Sequence, residues 1–238
     1  MQQMPWLESA AMSLLVPAGS QRDPEGLAGL AGFTAEMVQR GCGQYNSRQF
    51  VEQLDRLGAA RSASVTNYHT RFSAAVPTNR LRETLALYRE LVLAPLLPAS
   101  QLEDSRMVAM QELLALEDDL AQKLIKVLRK RLYPDPYGRS TTGTMESVQA
   151  IQLENIQNHV KNFYVPDQAI LSIAGKIDFN EVQNMVDELF GSWQGTVQQE
   201  LTEHPPAEGH HHIEHDSNQT QIGIVFPSVP YSHPDYFL

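Results

Sequence analysis

Apolar residues recur at two different spacings along this chain, and the order of those spacings restricts its fold more than any single motif. Residues 10–18 (AAMSLLVPA) read as a strand that turns at Gly19 and Ser20. Asp23, Pro24 and Glu25 suit the first turn of a helix. Asp can cap it, Pro gives up an amide that has no partner there, and Glu meets the positive end of the helix. Leu27, Leu30, Ala31, Thr34 and Val38 follow at helical spacing until Gly41 and Gly43. A second helix is expected over residues 47–57, with Phe50, Val51 and Leu54 inward. Residues 62–76 alternate small, β-branched and aromatic side chains, as a hairpin or one long bent strand does.

Helical spacing returns from Thr78 to Pro95, with Leu81, Leu85, Tyr88 and Val92 on one face. It resumes over residues 98–133, broken near Asp118 and Asp119. Residues 134–143 read as loop, and residues 153–164 as a helix with Ile156, Val160 and Phe163 on one face. Residues 169–175 (AILSIAG) read as a buried strand, and Asp178 with Glu181 opens a helix that Gly191 stops. Residues 193–208 are a linker rich in Gln, Glu and Pro, and residues 219–227 (QTQIGIVFP) alternate as a strand. Strands and helices mix without strict βαβ alternation, which predicts an α+β fold with a mixed sheet and helices packed on it.

With 42% hydrophobic residues in 238, the chain can bury a sizeable core. Acidic residues outnumber basic ones 28 to 18, and the densest basic run, Arg129, Lys130 and Arg131, ends a helix. Nucleic acid is therefore not an expected partner. No apolar run has the length of a membrane span, and no signal peptide opens the chain. The acidic balance and single cysteine fit a bacterial cytoplasm; a periplasmic protein whose leader had been removed would read the same. Cys42, between Gly41 and Gly43, suits a small residue in a helix-ending turn better than a catalytic thiol.

His211, Glu214 and His215 spell H-x-x-E-H, the zinc signature of the inverted metallopeptidases. The motif binds metal only on a helix, where positions four apart share a face. Here Pro205, Pro206 and Gly209 precede it, and Asp216, Ser217 and Asn218 lead into an expected strand. In an extended chain the two imidazoles stand about 13 Å apart, too far for one tetrahedral site. The match reads as a polar linker. The neighbouring His210 and His212 leave adventitious metal binding open.

Several longer blocks occur in a fixed order: LLVPAGSQRDPEGLAGLAGFTAEMVQRG, MVAMQELLALEDD, YPDPYGRSTTGTMESVQAI and FYVPDQAILSIAGKIDFNEVQNMVDELFGSW. Together they resemble the insulinase/pitrilysin (M16) zinc peptidases, the family that includes the mitochondrial processing peptidase subunits. The resemblance implies the LuxS/processing-peptidase-like metallohydrolase fold, as one half of a duplicated clamshell. It places the family's zinc helix over residues 29–38. Gly32 stands there for the first metal-binding histidine, Ala35 for the general-base glutamate and Glu36 for the second histidine. Glu112 lies at the distance downstream where the family carries its distal glutamate ligand. Gly32 offers no ligand and Ala35 takes no proton from water. Two carboxylates without imidazole make a poor zinc site. No alignment slip restores the motif, because the first histidine of the chain is His69.

The resemblance further implies a first unit over residues 1–205 lacking the family's opening strand, a linker over 206–218, and the first strand of a second unit over 219–238. By this reading the sequence is a piece of a longer protein. Two-chain members pair a zinc-bearing subunit with one that has lost the metal and shapes the substrate chamber, often through an arginine–tyrosine pair from the second unit. The expected role is thus the noncatalytic partner of a heterodimeric M16 metallopeptidase. No cofactor is expected on this chain, zinc is expected on the partner subunit, and the ligand is an extended peptide. Two alternatives stay open: an active peptidase with a non-standard metal site drawn from Glu36, Glu112 or residues 210–215, and a purely structural subunit like the respiratory-complex core proteins. Lesser candidates are His69, read on a strand with Tyr68 and Arg71; Arg139, read as a loop anchor; and His159, read as exposed beside Lys161.

Overall fold

A computed structural model of the chain describes residues 1–197, 200–205, 209, 211–215 and 217–237. Its centre is a mixed five-stranded sheet in the order β1-β7-β2-β6-β5. The strands are β1 (Gln2–Gln3), β2 (Ser9–Val16), β5 (Ala60–Val65), β6 (Thr70–Pro77) and β7 (Ile170–Gly175). β1 runs parallel to β7 and every other pairing is antiparallel. A small second sheet joins β3 (Gly41–Cys42) to β4 (Tyr45–Asn46).

One face of the main sheet is the core. Met12, Leu14, Val16, Phe72, Ala74 and Ile173 point into it and are buried. The helices α1 (Leu30–Val38), α2 (Ser47–Arg56), α3 (Leu81–Leu93), α7 (Leu153–Phe163) and α8 (Phe179–Phe190) contribute Leu30, Met37, Phe50, Leu54, Leu85, Leu91, Ile156 and Val182 to the same core. The other face carries small side chains in rows across the strands. Ser62, Ser73, Ser13 and Ser172 stand side by side, and so do Ala60, Ala75, Ala11 and Ala174. The alternation of side chains along a strand produces both faces at once.

The expected hairpin forms from β5 and β6, and the expected break falls at Asp119, between α4 (Leu102–Asp118) and α5 (Leu120–Leu132). Asp119 caps the second piece by accepting from the amides of Ala121 and Gln122, both at 3.1 Å. α6 (Met145–Ala150), short and inside a stretch of loop chemistry, was not anticipated.

Five local expectations are corrected. Asp23 does not begin a helix at Pro24; α1 starts at Leu30. The buried Asp23 carboxylate reaches across a turn instead, accepting from Gly29 N at 2.8 Å and Ala31 N at 2.9 Å. Gly29, the residue before the helix, has φ +90°, a conformation that only glycine adopts at low cost. Residues 219–227 form no strand: an alternating segment needs an edge to pair with, and among the described residues none pairs with it; Gly223 rests against Leu124 and Leu128 of α5. His159 is buried at 2% exposure, edge-on to Phe163 with ring centroids 5.0 Å apart. Its position three after Ile156 and four before Phe163 puts it on the inward face of α7. Cys42 sits in β3, fully buried, rather than in a helix-ending turn. β7 is covered on one face only, with Ile170 and Ser172 exposed.

Candidate functional site

α1 forms one wall of a cleft of about 230 Å³. Gly32, Ala35 and Glu36 line it from α1, and Ser105, Val108 and Glu112 line it from α4. Ala63, Ser64 and Val65 close one side from β5, and Thr141 and Thr142 close the other from the loop before α6. The fold therefore brings Gly32, Ala35, Glu36 and Glu112 to one place, although α2, α3 and the hairpin separate them in the chain.

Local chemistry fixes this wall. Asp23 caps α1, and Leu30, Phe33, Met37 and Val38 bury its inner face. Burial raises the Asp23 carboxyl to about 7, while the amides of Ala31 and Gly29 and the nearby Arg139 pull it the other way. α4 is held by Arg106, whose guanidinium is buried and donates to the carbonyls of Val148, Gln149 (3.1 Å) and Ile151 (2.8 Å) at the end of α6. The same group lies 5.7 Å over the Phe33 ring of α1. Arg106 thus ties α1, α4 and α6 together. Sequence reading missed it because its acceptors are backbone carbonyls far along the chain.

Within the cleft, Glu36 Oε1 accepts from Arg40 Nε at 2.9 Å and from Nη2 at 2.6 Å. Ala35 is 5% exposed and its carbonyl accepts from Gln39 Nε2 at 2.8 Å. Glu112 is exposed and has no hydrogen-bonding or ionic partner among the described residues. Ser105 is buried, and its hydroxyl finds no partner among them either.

The other candidates lie elsewhere. His69 occupies the turn between β5 and β6, half-buried, with its imidazole shifted toward the neutral form by burial. Arg139 anchors the loop from both sides. It donates to Asp135 at 2.8 and 2.6 Å and to the Asp23 carbonyl, and its own carbonyl accepts from Asn67 Nδ2 at 3.0 Å. Its hydrogen bond to Asp135 raises the Arg139 pKa and lowers that of Asp135. His211, Glu214 and His215 are exposed in a segment without helical structure, and His211 Nδ1 lies 3.1 Å from Arg131 Nη2. His210 and Asp216 fall outside the described residues. Among the described residues no group of three or more His, Cys, Asp or Glu converges on a point where a metal could bind. No helix among them is long and apolar enough to cross a membrane.

Comparison with known families decides the class. The family model described as Insulinase (Peptidase family M16) matches residues 2–145, and that described as Peptidase M16 inactive domain matches residues 150–238. The chain belongs to the M16 peptidase family. This M16 chain is 24% identical over 232 residues to an uncharacterized zinc protease of Rickettsia bellii, covering 96% of this chain and 56% of that protein. It is 24% identical over 240 residues to a probable mitochondrial-processing peptidase subunit beta of Arabidopsis thaliana, covering 96% and 44%. The chain thus spans about half the length of the curated relatives it matches. Among solved structures, an M16 inactive domain from Pseudomonas fluorescens superposes with a TM-score of 0.76 at 19% identity, covering 86% of this chain and 50% of that one. Pitrilysin superposes at 0.75 with 21% identity, covering 87% and 23%. These likenesses establish the fold: the M16 α+β architecture expected from the sequence blocks.

The family implies zinc, and the residues present do not fit it. Among the described residues the cleft has no imidazole, one of its two carboxylates is already engaged by Arg40, and Gly32 offers no side chain.

Proposed function

We propose that this chain is the noncatalytic partner subunit of a heterodimeric M16 metallopeptidase, and that it holds an extended peptide beside a zinc ion carried by another chain. The observation that carries the reading is the content of the cleft. By the family pattern Ala35 stands at the general-base position, and the two carboxylates that line the cleft, Glu36 and Glu112, have no imidazole beside them to help hold a metal-bound water. The peptide-holding half of the reading rests on β5. It ends the sheet, its residues are exposed apart from the half-buried Val65, and it runs along the cleft. An edge strand offers unpaired backbone groups to an extended segment, which is the physics of strand addition. Holding the peptide in one geometry removes orientational freedom that the chemical step would otherwise have to overcome.

In this reading residues 1–205 are one working unit, residues 206–218 a linker, and residues 219–238 the start of a second unit; the pair works in the cytoplasm. The test is to purify the full-length protein alone and together with an H-x-x-E-H-bearing M16 homologue, then measure zinc content and peptide cleavage. Zinc and cleavage are expected only in the pair. One zinc per chain with cleavage by this protein alone would overturn the proposal.

A further inference from the structure

The first ligand position is a filled space as well as a missing side chain. A Cβ placed on Gly32 would stand 2.7 Å from the Thr141 carbonyl oxygen, closer than real Cβ atoms come to a backbone atom. One turn earlier, a Cβ on Gly29 would meet Gly143 N and Thr142 O at 2.9 Å. On the loop side, a Cβ on Gly143 would run into the Ala28 carbonyl, and Gly143 itself has φ +72°. Glycines on both partners therefore let the loop backbone lie directly against the start of α1.

We infer that residues 140–143 form a strap that has taken over the first ligand position, so that the loss of metal is fixed by backbone placement and not only by absent side chains. The strap is tied at both ends. At one end the Arg139 carbonyl accepts from Asn67 Nδ2 (3.0 Å) and Ser20 Oγ (3.4 Å). At the other, Lys126 Nζ donates to the Gly143 carbonyl at 2.8 Å, and Ser147 Oγ donates to the Ala28 carbonyl at 2.6 Å. Between them Ser140 Oγ accepts from Thr142 N at 3.3 Å, which bends the segment inward. A side chain at position 32 must displace this tethered carbonyl. The inference goes beyond the peptide-holding reading and stands whether or not the chain binds peptide.

The sign of one substitution tests it. Gly32 lies inside α1, where Gly→Ala ordinarily stabilises a helix. The strap reverses that: Gly32→Ala should lower the thermal midpoint by about 5 °C. A midpoint that is unchanged or raised shows that the strap yields freely and overturns the inference. The triple variant Gly32→His, Ala35→Glu, Glu36→His, with Glu112 retained, is then titrated with zinc chloride in the calorimeter. It should take up no stoichiometric zinc while residues 140–143 are intact, and should gain a site when Thr141 is deleted as well. One tightly bound zinc in the triple variant, at native thermal midpoint, would equally overturn it.

Discussion

Arg40 donates from Nε and Nη2 to the same oxygen of Glu36, one helical turn away, at 2.9 and 2.6 Å. The Glu36 carboxylate is thereby committed to a residue just past the end of its own helix. Both side chains are partly exposed, at 23% for Arg40 and 38% for Glu36, so the pair contributes little to stability. Glu36→Gln should change the urea unfolding free energy by less than about 1 kcal/mol. A loss of several kcal/mol would mean that the pair holds α1 in place.

Arg106 is the opposite case. Its removal leaves the Val148, Gln149 and Ile151 carbonyls without their donor and takes away the contact with Phe33. Arg106→Met should destabilise the fold by about 3 kcal/mol. Amide hydrogen exchange in α6 should accelerate more than in β2. Equal acceleration everywhere would refute a local clamp.

Two buried titrating groups push stability in opposite directions. Burial holds the His159 imidazole at about 4, below its ordinary 6.5, with only the Ala18 backbone favouring the charged form. The unfolded chain takes up that proton first, so stability falls as pH drops through this window. The Asp23 carboxyl, raised to about 7 from 3.8, does the reverse: its contribution is complete below 3.8 and lost as pH rises through 7. Each slope approaches about 1.4 kcal/mol per pH unit, so the two nearly cancel between roughly pH 4 and 6.5. His159→Leu should therefore lose stability as pH rises across that range, and Asp23→Asn should gain it. Urea midpoints at pH 4.5 and 6.5 decide the matter; slopes of the same sign in both variants would show that other groups dominate.

Cys42 is fully buried, and burial raises its thiol to about 12. The native protein should react with an aromatic disulfide reagent only at the rate of unfolding. Rapid labelling at pH 8 would show that the β3–β4 corner opens locally.

The sequence made the elements legible wherever one local rule decides them. Asp119 both breaks a long helix and caps its second half, and the alternation over residues 62–76 gives the hairpin. The cap supplied by Asp23 was misplaced because its carboxylate works across a glycine turn, beyond the spacing of ordinary caps. His159 was readable from its spacing to Ile156 and Phe163 and was misjudged by its polar neighbour Lys161. Gly32, Ala35, Glu36 and Glu112 are singled out by their sequence blocks alone, and the fold brings the four to one cleft. The approach of Thr141 to Gly32 was not legible, since it depends on loop placement and on a backbone atom.

The matched rows of serine and alanine on the open sheet face bear on how the sheet chooses its pairing. A slip of one residue between β2 and β6 would exchange Leu14 and Phe72 for Ser13 and Ser73 in the core, so patterning alone forbids it. A slip of two would lay serine over alanine at little loss on the open face. Guarding against that error falls largely to the turn. There Asn67, buried at 5%, accepts from Arg129 at 2.9 Å and donates to the Arg139 carbonyl at 3.0 Å, while Ser20 N and Gln21 N donate to the carbonyls of Thr66 and Asn67. A single amide side chain thus acts as the index mark against which the hairpin is aligned, and misaligned, aggregation-prone chains are the expected outcome of losing it.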